Sequence, residues 1–285
     1  MKVGSEQSGI EDWIGGPGAG HGGRRYNGDV EADVESLLAA ISAEGSFAGA
    51  TGRGVRVAVI DGGVGSGASA LREEAVFRRV QGEVRRCEGP TTSRSAHGSA
   101  VAEILTRIAP EVELYSADVL DGSGQGDADA VLAGMEWALD RGCRVINMSL
   151  GLTPADLPRA ERRWRFAEAV ERAYFSGAVI VAAAHNLHEQ GIDALPASFA
   201  SVVGVDKRLL GSADRFDYAP RRRVEFAAHG KSGRAEYRFT SATSFAAPHV
   251  SGFVALLLES CPDLRPFEVK TILYRVGESW SRAGG

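Results

Sequence analysis

The sequence predicts a three-layer α/β domain, a mainly parallel sheet with helices on both faces. Three observations predict it. Short apolar runs alternate with stretches of helical period, and strands joined through helices need crossovers, which give parallel pairing. Hydrophobic residues make up 44% of the 285, enough for a sizeable core, and 36 glycines supply tight turns. No repeat or linker divides the chain, so residues 29–285 are read as one domain behind a polar, glycine-rich segment, 1–28, expected to be disordered.

The elements follow in order. Asp29 to Ala43 carries Val34, Leu37, Leu38 and Ile41 at helical spacing. Arg53 to Asp61 is an apolar run ending in an acid and two glycines, a buried strand and its turn. A polar stretch runs to Ser95. His97-Gly98-Ser99 opens a helix with Val101, Ile104, Leu105 and Ile108 on one face, and Val112 to Leu120 is the next strand. Asp121 to Gly126 is a loop, and Asp127 to Arg141 is helical through Val131, Met135, Ala138 and Leu139. Arg144 to Ser149 is a strand closed by Leu150-Gly151, residues 159–176 a helix, and Ala178 to Ala184 a strand. Ser201 to Val205 and Arg223 to Ala228 are shorter strands. Helices at Ser244 to Ser260 and Pro266 to Val276 close the chain.

Composition excludes several classes of function. A net charge of −5 implies no general affinity for nucleic acid. Three cysteines without CxxC spacing argue against a disulfide framework or a zinc site. The N-terminus lacks the apolar core of a signal peptide, and no run is long enough to span a bilayer. The expectation is a cytoplasmic protein with no membrane partner.

Candidate chemistry gathers where parallel sheets hold it, at the carboxyl ends of strands. Asp61 ends a strand, while His97 and Ser244 each sit at a helix start. A lone serine there is ordinarily a cap. With an imidazole to take its proton and a carboxylate to orient that imidazole, it is a nucleophile. His249 is a rival base, but five residues past Ser244 on one helix it is turned about 140° away. Gly63-Val64-Gly65-Ser66-Gly67-Ala68 fits a dinucleotide-loop pattern, although Asp61 would repel a pyrophosphate. Gly230-Lys231-Ser232 mimics the end of a phosphate loop but lacks its first glycine. His185 and His188 lack a third ligand, so they are read as loop residues and no metal is expected.

Five segments in order carry a family resemblance: Ala58-Val59-Ile60-Asp61-Gly62-Gly63, His97-Gly98-Ser99-Ala100-Val101-Ala102, Asn147-Met148-Ser149-Leu150-Gly151, Ala182-Ala183-Ala184-His185-Asn186, and residues 241–252. Together they resemble the subtilase family of serine proteases, over about residues 50 to 276. The resemblance implies a subtilisin-like fold and a serine endopeptidase without a cofactor. In it Asp61 orients His97, His97 deprotonates Ser244, and the Asn186 amide with the Ser244 N–H holds the oxyanion. It also implies that Gly124-Gln125-Gly126 and Ser149-Leu150-Gly151 pair with an extended protein or peptide substrate. Ala183, Ala184 and His185 would border its first specificity pocket.

The chain also departs from the pattern. Ala242 replaces a glycine, Phe245 a methionine and His185 a glycine. These departures leave a second reading open, a catalytically weak peptide-binding protein of the same fold. The path from His97 to Leu114 has no room for the family's calcium loop, so no calcium is expected there. The stretch ahead of residue 50 is too short for a folded pro-domain, so folding without one is expected. Glu189 and Asp193 suggest a preference for a basic side chain. A restricted substrate, such as a dedicated precursor peptide, fits a protease kept inside the cell.

Overall fold

The computed structural model of the chain describes residues 47, 49–65, 68–87, 96–121, 124–210, 212, 214–221 and 223–283. The expected tail over 1–28 and helix over 29–43 lie outside the described residues. Strands β1 (Arg56–Asp61), β2 (Leu71–Val80), β3 (Glu83–Cys87), β4 (Glu113–Asp118), β5 (Val145–Met148), β6 (Val179–Ala183), β7 (Val203–Arg208), β8 (Phe216–Arg221) and β9 (Val224–His229) form one sheet in the order β3-β2-β4-β1-β5-β6-β7-β9-β8. Pairing from β2 across to β9 is parallel, and only the edge strands β3 and β8 run antiparallel to their neighbours.

Helices α1 (Ala96–Ile108), α2 (Ala128–Asp140), α3 (Ala160–Phe175), α4 (Thr243–Ser260) and α5 (Pro266–Ala283) complete the layers. Alternation assigns the faces. Ala58 and Ile60 of β1, Ile146 and Met148 of β5, and Ile180 and Ala182 of β6 pack with Met135 of α2 and Phe166 of α3. On the other face α4 packs against β5, β6 and β7, with α1 beside it. Helix α4 is apolar all round and almost wholly buried, as a helix between sheet and neighbour must be. Helix α1 passes to β4 through Ala109–Val112 alone.

Three elements differ from the expectation. The polar stretch after Asp61 holds the β2–β3 hairpin. Only Ala75 and Phe77 of β2 are buried, and charges cover the rest. Its turn, Gln81-Gly82, has positive φ at both residues (52° and 89°), a primed hairpin turn with glutamine in the usual asparagine position. β8 carries Pro220, which an edge strand tolerates. α5 runs past Val276 because Gly277 is a contact glycine and not a stop. A Cβ there would lie 2.7 Å from the Tyr218 nitrogen, and the close approach brings Trp280 against Phe216 and Phe253.

Candidate active site

Adjacent strands β4, β1, β5 and β6 end side by side, with Asp61 in register with Asp118 and Ile60 with Met148. Asp61 is fully buried at the end of β1. Its Oδ1 accepts the Gly62 N–H at 2.7 Å, and both carboxylate oxygens lie 3.0 Å from His97 Nδ1. A carboxylate can only accept, so Nδ1 donates and Nε2 is left as an acceptor. Ser244 Oγ lies 2.9 Å from Nε2 and donates to it. The three groups therefore form one line of hydrogen bonds. Burial alone would depress the His97 imidazole, but the Asp61 hydrogen bond and charge outweigh it and hold the imidazole above its usual value.

Gly98 lets α1 begin so close to Asp61. A Cβ there would lie 2.1 Å from the Gly63 carbonyl oxygen and 3.3 Å from Asp61 Oδ1. Gly98→Ala must push the helix start off the β1 turn. It is expected to cost about 1–3 kcal/mol of stability by overpacking, read as a lower denaturant midpoint; an unchanged midpoint would contradict this contact.

Ser244 is not a cap. The cap of α4 is Ala242, with no side-chain cap hydrogen bond. Around it the first-turn donors are allotted: the Thr243 N–H goes to Asn186 Oδ1 (3.1 Å) and the Phe245 N–H to the Ala242 carbonyl (3.2 Å). The Ser244 N–H has no partner among the described residues. Such a free N–H at a helix start suits a negative oxygen.

A polar network holds Ser244 in place. Of its members, Ser251, Asn147 and Thr243 are not among the site residues expected from the sequence, whereas Ser149 is expected there only to pair with substrate. Ser251 Oγ donates to Asn147 Oδ1 (2.9 Å), Asn147 Nδ2 to Ser149 Oγ (3.0 Å), and Ser149 Oγ to the Ser244 carbonyl (2.8 Å). Thr243 Oγ1 donates to the Ala184 carbonyl at 2.6 Å. These bonds tie the start of α4 to the ends of β5 and β6. Spacing held the signal for Ser251: seven residues after Ser244 is about two turns, the same helix face.

The other expected site residues fall along the same strand ends. Asn186 and Gly151 are exposed, His185 and Leu150 are half-buried, and Ala183 and Ala184 are buried. His185 Nδ1 accepts the Leu187 N–H at 3.1 Å. A Cβ on Gly151 would lie 2.8 Å from Ala194 Cβ. One expectation narrows. The N–H groups of Gly124 and Gln125 both bond Asp121, so those two donors are closed to a substrate strand, and the Gln125 carbonyl accepts the Asp121 N–H. Gly126 bridges Leu120 at the end of this turn. The Ser149 hydroxyl is likewise spent inside the protein.

The sequence profile of the subtilase family matches residues 52–276. The chain belongs to the subtilase family. At the level of the family this is a serine endopeptidase. It is 33% identical over 243 residues to subtilisin DY of Bacillus licheniformis, covering 79% of this chain and 84% of that one. Against the thermostable alkaline protease of Halalkalibacterium halodurans it is 32% identical over 231 residues; the match covers 75% of this chain but spans only 59% of that relative's length. Among solved structures, a cold-adapted subtilisin-like serine proteinase superposes with a TM-score of 0.60 at 25% identity, covering 80% of this chain and 83% of that one. The three-layer fold is thus subtilisin-like.

The departures from the subtilase pattern have local explanations. Ala242 sits in extended backbone (φ −140°, ψ 149°), which any residue adopts, and packs with Ala100, Ile104 and Phe245. The Phe245 ring lies 5.4 Å from the His97 ring and 5.1 Å from Tyr237, so two aromatic rings back the imidazole. His249 is fully buried beside His229. Glu189 pairs with Arg221, and Asp193 with Arg223 and His188 at 3.6 Å each. Both carboxylates thus have an arginine partner within the protein. The Val64 and Gly65 N–H groups are taken by Glu74 (2.7 Å) and Ser99 (2.9 Å), leaving no phosphate cradle in the described part of that glycine loop. Among the described residues no group of three His, Cys, Asp or Glu could hold a metal ion, and no helix is long and apolar enough to cross a membrane.

Proposed function

We propose that this subtilase hydrolyses peptide bonds through an acyl-enzyme, with Asp61, His97 and Ser244 as its triad. The single observation that carries the proposal is the continuous contact line at 3.0 and 2.9 Å. His97 Nε2 takes the Ser244 proton as Oγ attacks the scissile carbonyl carbon. Asp61 holds the imidazolium that results. Asn186 Nδ2 and the Ser244 N–H receive the negative charge on the carbonyl oxygen. His97 then protonates the leaving amine, the C–N bond breaks, and the acyl group stays on Ser244. Water, deprotonated by His97, repeats the sequence and frees the acid. The side chains that depart from the family leave the contact line intact, which favours catalysis over a mere binding role.

The substrate is a protein or peptide in extended form, pairing with Gly126 on one side and Ser149–Gly151 on the other. We take it to be a restricted one, because His185 puts an imidazole beside Asn186 where the family has a glycine, leaving less room for a substrate side chain. Cytoplasmic residence belongs to the same proposal, supported by an odd number of cysteines without the spacing of a disulfide framework. Incubation with a peptide library tests the whole reading: cleavage by the wild type and none by Ser244→Ala is expected, and equal cleavage by both would reject it.

Two predictions follow from the roles of Asn186 and His97. Asn186→Ala should lower kcat by about 10²–10³, a magnitude carried over from subtilisin itself; unchanged turnover would remove Asn186 from the oxyanion site. His97 works only when neutral, and Asp61 raises its proton affinity. Activity should therefore rise with pH through a midpoint above the ordinary imidazole value of about 6.5. A kcat/KM profile with its acid limb centred below that value would contradict the Asp61–His97 coupling.

A further inference from the structure

Lys207 lies one residue before the end of β7, outside every segment that resembles the subtilase pattern. Its backbone N–H donates to Asp206 Oδ1 at 2.7 Å. Its stem passes close to Gly230, where a Cβ would lie 2.7 Å from Lys207 Cβ and 3.0 Å from Ser241 Oγ. Through that gap the ammonium reaches Asn186 Oδ1 at 3.2 Å and the Ser241 carbonyl at 3.3 Å. The same Asn186 oxygen accepts the Thr243 N–H at 3.1 Å.

An asparagine amide has two opposite ends, one accepting and one donating. Two N–H donors, one of them charged, converge here on one end, with the Thr243 hydroxyl a longer third contact at 3.4 Å. A flipped amide would set its NH₂ against an ammonium and a backbone N–H. Oδ1 is therefore locked toward Lys207 and Thr243, and Nδ2 is turned to the open side of the site. A full positive charge on the oxygen also polarises the amide and makes its N–H a better donor. Hydrogen bonds with an ionised partner are roughly twice as strong as neutral ones.

We propose that Lys207 is a positioning residue, which holds the Asn186 amide with its donor toward the oxyanion and strengthens that donor. The inference rests on the peptidase reading above. It predicts an effect on the transition state and little on substrate binding, since the amide acts only on charge that develops during attack.

A double-mutant cycle tests it, with kcat and KM measured on a chromogenic peptide that the wild type cleaves. Lys207→Gln keeps a donor and loses the charge. It is expected to lower kcat about tenfold with KM within about twofold, and Lys207→Arg to recover most of the loss. On an Asn186→Ala background Lys207→Gln should cost nothing further, because its route of action is gone. Full kcat in Lys207→Gln, a loss confined to KM, or the same loss on the Asn186→Ala background would each overturn the role. Thermal melts check folding. If Lys207→Gln does not fold, Gly230→Ala carries the test, since it displaces the stem and keeps the charge. It should lower kcat alone, and again only when Asn186 is present. These failures leave wild-type turnover intact. A wild type that neither cleaves peptides nor reacts with a fluorophosphonate overturns the peptidase reading, and this inference with it.

Discussion

His97→Ala is expected to lower kcat by about 10⁶, a magnitude carried over from subtilisin itself, and Ser244→Ala by about as much. Nε2 is the one base within 2.9 Å of the Ser244 hydroxyl among the described groups, and without it the serine stays protonated. The two losses should not add, because nucleophile and base act as a unit. The double variant should therefore turn over at the rate of either single one. Full multiplication of the two losses would mean that the residues act in separate steps. Stability should change far less than activity, since His97 retains solvent contact with its side chain 27% exposed.

Asp61→Asn is expected to lower kcat by about 10⁴, the scale of the corresponding change in trypsin-like enzymes. The geometry supplies the cause. The Gly62 N–H, 2.7 Å from Asp61 Oδ1, requires an acceptor. An asparagine turns its oxygen to that N–H and its NH₂ to His97 Nδ1. Nδ1 must then accept, Nε2 carries the proton, and the imidazole cannot take one from Ser244. The acid limb of the pH profile should also move down, because the carboxylate that raises the imidazole is gone. Activity near wild type, or an unmoved limb, would contradict this account of Asp61.

The three groups of the contact line were legible in the sequence because each sits where an element begins or ends. Asp61 follows an apolar run, and His97 and Ser244 open amphipathic or apolar helices. The bounds of β1, α1, α2, α3 and α4 match the expectation to within a few residues for the same reason. The β2–β3 hairpin was not legible, because an outlying strand buries only Ala75 and Phe77 and shows its charges to water. Nor was the end of α5, where Gly277 reads as a stop in one dimension and serves as a contact in three. The network from Ser251 through Asn147 to Ser149 was missed for another reason. Polar residues inside apolar runs gain meaning only when the partner strand is known. Lys207 is the extreme case: an ordinary lysine at a strand end, its role set by a gap at Gly230 and an amide far off in the chain. Charge positions were legible but charge pairing was not: the sequence does not set Arg221 beside Glu189 or Arg223 beside Asp193.

Reaction with a fluorophosphonate, followed by mass spectrometry of the digested protein, tests the central claim most directly. Attack on phosphorus needs the same deprotonated hydroxyl and the same donors as attack on a peptide carbonyl. One adduct per chain, on Ser244 and absent in His97→Ala, is the expected result. No adduct on the folded wild type, or an adduct on another residue, would contradict the assignment of Ser244 as the nucleophile.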